Sequence, residues 1–262
     1  MIIDCHIHLS SPGCRFIRED VETCLDLADR AGIDRMVYLF NLQDSGGYDP
    51  APDDILRSND LGMTLVQHYP DRFSSFCYLN PAHDVRFLLD EIERCIARGP
   101  CAGIKLWVSV KADDTRLDPI MERASALHVP VLHHAWYKAT GYAFEESNPA
   151  EIATLARRHP DVPIIMAHLC GGGWRGVLDV KECPNVLVDT SGAQPQAGLV
   201  EFAVEQLGVE RVVFGSDWPI RDLAVQRTRI DGAQVTADAR GAILGGTVAR
   251  LLNATGKVAV AP

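Results

Sequence analysis

Residues 2–9 read Ile2-Ile3-Asp4-Cys5-His6-Ile7-His8-Leu9, a short apolar run broken by polar side chains. Side chains two apart in a strand share a face, so His6 and His8 project to one side, with their imidazoles about 7 Å apart along the strand. By the same alternation Asp4 points with them at a deeper level, where it would support them. Seven more strand-sized runs follow, at 35–40, 73–79, 103–108, 130–135, 163–170, 185–190 and 211–216. They are rich in Val, Ile, Leu or Phe, and most begin after Gly, Pro or Asp.

Amphipathic stretches lie between these runs, and the clearest are 19–31, 82–98, 149–158, 197–207 and 239–252. Asn148 precedes the third as an N-cap, with Pro149 at its first helical position. Continuous apolar strands alternating with such helices imply a parallel sheet covered by helices. Eight units within about 250 residues predict a single α/β domain over 1–262, a (β/α)8 TIM barrel with its site at the C-terminal ends of the strands. No Gly-x-Gly-x-x-Gly follows the first run, which argues against an open dinucleotide-binding sheet. The polar, Gly- and Pro-rich stretch 41–54 becomes the loop after the second strand, on the active-site face. Residues 257–262 read as a linker-like tail.

The 262 residues carry a formal charge of −10. Such a chain repels a phosphate backbone, so nucleic acid is not an expected partner. No apolar run approaches the roughly 20 residues of a spanning helix, and no polybasic helix marks a membrane surface. No basic segment followed by an apolar one opens the chain, so the expected location is the cytoplasm. The eight cysteines include no Cys-x-x-Cys pair and are expected to be reduced and mostly buried.

Groups able to bind metal recur at strand ends. Besides His6 and His8, the fifth run ends in His133-His134, the sixth carries His168, and the eighth leads into Gly215-Ser216-Asp217-Trp218-Pro219. Histidines and a carboxylate delivered to one rim by four strands point to a divalent metal ion, with zinc best suited to this donor set. Such an ion brings bound water from a pKa of 15.7 to about 7.

Together, Ile3-Asp4-Cys5-His6-Ile7-His8, Gly103-Ile104-Lys105-Leu106, Pro130-Val131-Leu132-His133-His134, Met166-Ala167-His168-Leu169-Cys170-Gly171-Gly172 and Phe214-Gly215-Ser216-Asp217-Trp218-Pro219 resemble the amidohydrolase superfamily. The closer likeness is to the branch that includes aminocarboxymuconate-semialdehyde decarboxylase. It runs from Ile3 to about Leu252, and departs from the branch at Thr247, where Asn is usual. The resemblance implies that His6, His8, His134 and Asp217 hold one metal. It implies that Asp217 also accepts the proton of the metal-bound water, and that His168 acts beside it as acid or base. His133 then points away as a buried structural histidine. In two-metal relatives a strand-four lysine is carboxylated and bridges the ions. Lys105 with His168 would supply that second site, whereas an uncarboxylated Lys105 would contact substrate. The branch also implies a homodimer.

All four tryptophans, Trp107, Trp136, Trp174 and Trp218, fall at or just after predicted strand ends, with Lys105, Lys138, Arg175 and Arg221 nearby. Aromatic walls and local cations suit a small, planar, carboxylated substrate, with Lys105, Trp107, Trp136, Trp174, Arg175 and Trp218 as its expected contacts. Three functions remain open at this level. Metal-activated water hydrolysing an amide, lactone or related bond is the first. Non-oxidative decarboxylation on the same ligands is the second. A non-catalytic barrel serving as binding protein or scaffold is the third.

Overall fold

The computed structural model describes residues 1–193 and 196–259; the last part of the expected tail, 260–262, lies outside them. The chain folds as the expected barrel. In order, its strands are β1 (Ile3–Leu9), β2 (Arg35–Asn41), β3 (Phe73–Ser75), β4 (Cys77–Leu79), β5 (Ile104–Leu106), β6 (Val131–His133), β7 (Ile164–Met166), β8 (Val186–Asp189) and β9 (Val212–Val213). All neighbouring pairs are parallel. The third run of the sequence is interrupted at Phe76, so one barrel strand appears as β3 and β4. The interruption leaves the sheet continuous, because Phe76 N–H donates to Tyr38 and Ala102 N–H to Ser75 at 3.0 and 2.8 Å.

The last strand closes onto the first. Cys5 N–H donates to the Phe214 carbonyl, Asp217 N–H to that of His6 and His8 N–H to that of Trp218, at 2.9, 2.8 and 2.7 Å. One Asp4 carboxylate oxygen accepts from the N–H groups of His6 and Ser216, which ties the two strands from the side.

The register between β1 and β2 corrects the expectation for Asp4. Asp4 pairs with Met36 and Ile7 with Tyr38, so two residues of β1 oppose one of β2. This bulge turns both Cys5 and His6 toward the lumen and leaves Asp4 with Met36 on the helix-facing side. Burial pushes the Asp4 carboxyl up to about 7, against its hydrogen bonds from Ser216 and His6.

The helices are α1 (Arg18–Arg30), α2 (Pro52–His68), α3 (Val85–Ile92), α4 (Asp118–Leu127), α5 (Pro149–Arg158), α6 (Leu169–Asp179), α7 (Leu199–Leu207), α8 (Leu223–Asp231), α9 (Ala237–Gly241) and α10 (Thr247–Ala254). Asn148 caps α5 through Ala150 and Glu151 N–H, as its sequence predicts. Helices α2, α4, α6 and α8 carry weaker sequence signals. Helix α8, for example, buries only Leu223, Gln226 and Ile230, too sparse a stripe to mark an amphipathic face.

The core has two layers. Strand and helix side chains pack around the barrel, while Ile3, Val37, Phe76, Leu132 and Ile165 plug its lower lumen above Val248 and Leu252 of α10. The upper lumen is left to polar side chains. No helix of the described residues is long and apolar enough to cross a membrane.

Gly103 tests the plug. A Cβ there would stand 2.7 Å from the buried Phe76 ring. Gly103→Ala is expected to cost about 1–3 kcal/mol, seen as a lower urea midpoint with an unchanged slope. An unchanged midpoint would contradict this packing.

Candidate metal centre and active site

His6 and His8 rise from β1 into the lumen, each with its Nδ1 committed. His6 Nδ1–H donates to Asp189 Oδ2 at 2.7 Å, and His8 Nδ1–H donates to the Phe40 carbonyl at 3.1 Å. These partners fix both tautomers and leave the two Nε2 atoms as lone-pair acceptors. The Nε2 atoms nevertheless face one another at 3.2 Å. Asp217 Oδ1, carried across the barrel seam, stands 3.5 Å from the first and 3.4 Å from the second.

With both Nδ1 atoms donating, three acceptors converge, an arrangement that a bound cation would satisfy. Ligand atoms about 2.1 Å from a common ion, at tetrahedral or octahedral angles, lie about 3.0–3.4 Å apart. The residues present therefore fit a divalent metal. Burial lowers both histidines below the usual imidazole range, well below for His6, and keeps their lone pairs available at neutral pH.

His134 and His168 form the other half of the floor. His134 Nε2–H donates to Glu146 Oε1 at 2.7 Å, and His134 Nδ1 meets His168 Nε2 at 3.0 Å. The compact ligand groups here are His6–His8–Asp217 and His6–His168–Asp189. His134, expected among the ligands, lies outside both groups, with Nε2 on Glu146 and Nδ1 facing His168 Nε2. His168 Nδ1 pairs with Ser191 Oγ at 2.8 Å. Both His168 and Asp217 have positive φ, 70° and 66°, a strained conformation for side-chain-bearing residues that clusters at functional sites. His133 faces away, fully buried, with Nδ1 on the His134 carbonyl.

Above this floor opens a cavity of 380 Å³, walled by Phe40, Tyr48, Trp107 and Trp136. Lys105 enters from β5, 1% exposed, with Nζ 5.9 Å from the Phe40 ring centroid. Burial lowers its ammonium to about 8, against the pull of Asp189 and Asp217. Arg221 also lines the cavity, its buried Nε without a partner. Lys138 is neutralised by Glu146 at 2.8 Å. Lys105 and Arg221 are therefore the cavity cations without a carboxylate partner among the described residues.

Three expected substrate contacts lie elsewhere. The glycines after His168 begin helix α6 instead of a rim loop, which carries Trp174 and Arg175 outward. Trp174 is 43% exposed and packs at a tilt against Phe202, while Arg175 covers the Tyr137 ring. Trp218 spends its backbone on the barrel seam and packs its ring against the outer core.

Two important residues were not anticipated. Asp189 ends the run Val186-Leu187-Val188-Asp189, and the rule that marked the histidines, a polar residue at a strand's C-terminal end, would have found it. Glu146 lies in an irregular loop, and no local pattern marks it.

A family model described as amidohydrolase matches residues 3–254. The chain belongs to the amidohydrolase family. This amidohydrolase is similar to the gamma-resorcylate decarboxylase of Rhodococcus jostii (strain RHA1), at 24% identity over 268 residues that cover 81% of each protein. The solved structure of a 2,6-dihydroxybenzoate decarboxylase with 2,6-dihydroxybenzoate superposes with a TM-score of 0.77 at 20% identity, covering 96% of this chain and 98% of that one. A dihydroxybenzoic acid decarboxylase from Polaromonas sp. JS666, with bound manganese and the inhibitor 2-nitroresorcinol, gives 0.77 at 19% identity and 96% of each chain. These likenesses share the barrel fold with this enzyme of the superfamily.

Replacing Asp189 tests the orienting contact. Asp189→Asn removes the charged acceptor of His6 Nδ1–H and is expected to weaken metal binding about 10–100-fold, measured by chelator competition. Unchanged affinity would show that His6 needs no such orientation.

Proposed function

We propose that this amidohydrolase is a metal-dependent, non-oxidative decarboxylase of a small hydroxylated aromatic carboxylate. The observation that carries the reading is the cluster of three acceptors, His6 Nε2, His8 Nε2 and Asp217 Oδ1, at the foot of an aromatic-walled cavity. The decarboxylase relatives support the reaction class, and they favour it over hydrolysis, the first expectation from the sequence, which uses the same ligand set. Manganese in one of them makes it a candidate beside zinc.

His6, His8 and Asp217 would hold the ion, which supplies a Lewis acid for an ionised phenolic or carboxylate oxygen. Trp107, Trp136, Phe40 and Tyr48 would sandwich the ring and exclude water. Lys105 and Arg221 supply the positive charge that an anionic substrate needs in a chain of net charge −10. Asp217 and His168 are the floor groups able to carry the proton that replaces the departing carboxylate. His168 is linked through His134 to Glu146 and Lys138 nearer the mouth, a hydrogen-bonded route along which its proton is restored.

A panel of hydroxybenzoates beside matched lactones and amides, with manganese or zinc supplied, tests this assignment. Carbon dioxide and the corresponding phenol are the expected products, and Asp217→Asn should lower turnover by about a thousandfold or more. Acid release from the lactones or amides, without carbon dioxide from any benzoate, would overturn the reading in favour of hydrolysis.

Lys105 predicts a pH signature. With its ammonium lowered to about 8, the charge is present below that pH and lost above it. KM for the carboxylate substrate should rise toward tenfold per pH unit above about 8, and Lys105→Met should abolish that rise. A KM that stays flat to pH 9.5 in the wild-type protein would contradict a charge contact from Lys105.

A further inference from the structure

A second chemical cluster lies behind the barrel, away from the cavity. Three buried cysteines meet there: Cys77 on β4, Cys95 in the π-helical turn Glu93–Ala97 that extends α3, and Cys101 in the loop before β5. Cys95 Sγ, Cys77 Sγ and a Glu91 carboxylate oxygen lie within 4.8 Å of one another. Cys95 donates to Glu91 Oε1 at 3.2 Å. Arg94 grips both Glu91 oxygens at 2.7 Å and is itself about one-third exposed, so the cluster lies one layer beneath solvent. π-helical turns of this kind occur frequently at functional sites.

The chain between Cys95 and Cys101 is folded into a tight turn. Cys101 N–H donates to the Cys95 carbonyl at 2.9 Å. Covalent geometry then holds the two Cα atoms within about 6.8 Å, the upper end of the range a disulfide spans. Gly99 permits the turn, since a Cβ there would stand 2.5 Å from the Cys95 carbonyl oxygen. Lys257 Nζ secures it from outside by donating to the carbonyls of Ala97 and Gly99 at 3.1 and 3.2 Å.

We propose that Cys95 and Cys101 are a redox dithiol that closes to a disulfide under peroxide, with Glu91 as the proton acceptor for Cys95. Glu91 takes the Cys95 thiol proton, and the thiolate attacks one oxygen of hydrogen peroxide. The O–O bond breaks, leaving the Cys95 sulfenic acid and a hydroxide that is protonated to water. The Cys101 sulfur then attacks the sulfenic sulfur. The S–S bond forms, the S–O bond breaks, and a second water leaves with the Cys101 proton. Two thiols lose two electrons and one peroxide gains them.

The electrostatics favour Cys95 as the attacking sulfur. Hydrogen bonds from Cys101 and Cys77, together with the Arg94 guanidinium, pull its thiol below the ordinary range, whereas Cys77 and Cys101 are pushed up. A metal on the same groups is disfavoured by the state of Glu91. Arg94 occupies both its oxygens, and Asn59 donates to Oε1 as well at 2.7 Å.

Trypsin separates the two cysteines, because Arg94, Arg98 and Lys105 place them on peptides 95–98 and 99–105. The purified protein is treated with about ten equivalents of hydrogen peroxide, alkylated and digested. The expected product is a cross-link between those two peptides, reversed by dithiothreitol, with the circular dichroism unchanged. Cys101→Ser should abolish it, Cys77→Ser should retain it, and Glu91→Gln should slow it about tenfold or more. Four results would overturn the proposal. One is oxidation of the partly exposed Cys170 while Cys95 and Cys101 remain alkylatable. Another is a cross-link to Cys77 instead of Cys101. The others are zinc found bound to the three thiols and an undiminished rate in Glu91→Gln.

Discussion

The seam between β1 and the chain leaving β9 sets everything the cavity does. Backbone hydrogen bonds between residues 5–8 and 214–218 close the barrel, and the same bonds carry Asp217 against His6 and His8. The proposed ligands His8 and Asp217, 209 residues apart in the chain, thereby stand 3.4 Å apart. Closure and ligand assembly are one event, so a chain with an open seam would have no site. The bulge in β1 adds the second constraint. It lets Cys5 fill the lower lumen while His6, its immediate neighbour, faces the metal position.

Charge is distributed around that constraint with some economy. The chain is acidic overall, yet among the described residues the cavity holds two cations without carboxylate partners. Apart from Asp217, the buried carboxylates Asp189 and Glu146 are committed. Asp189 orients His6 and accepts from the His168 and Ser191 N–H groups, while Glu146 holds His134 and Lys138. Burial keeps the histidines neutral and the carboxylates hydrogen-bonded. The cluster of His6 Nε2, His8 Nε2 and Asp217 Oδ1 brings acceptors together at the foot of the cavity, the electrostatic signature of a cation site.

Much of this was legible in the sequence. The eight apolar runs mark the strands because parallel barrel strands are buried on both faces, and His6, His8 and Asp217 stand out as polar residues at their ends. The position of Asp4 was misjudged, because period-two alternation cannot register a bulge that depends on the pairing of β1 with β2. Trp174 and Arg175 were misplaced because nearness to a strand end in sequence does not fix the path of the chain leaving it, and His168, at φ 70°, turns the chain directly into α6. Glu146 was invisible for a different reason. Its role arises when an irregular loop folds back over the strand end, and only the tertiary structure specifies that contact.

A crystal grown with manganese, with anomalous scattering recorded from it, tests the central claim most directly. A single anomalous peak is expected about 2.0–2.3 Å from His6 Nε2, His8 Nε2 and Asp217 Oδ1 together. Manganese held between His134 and His168, or no peak in the lumen at saturating metal, would contradict the account.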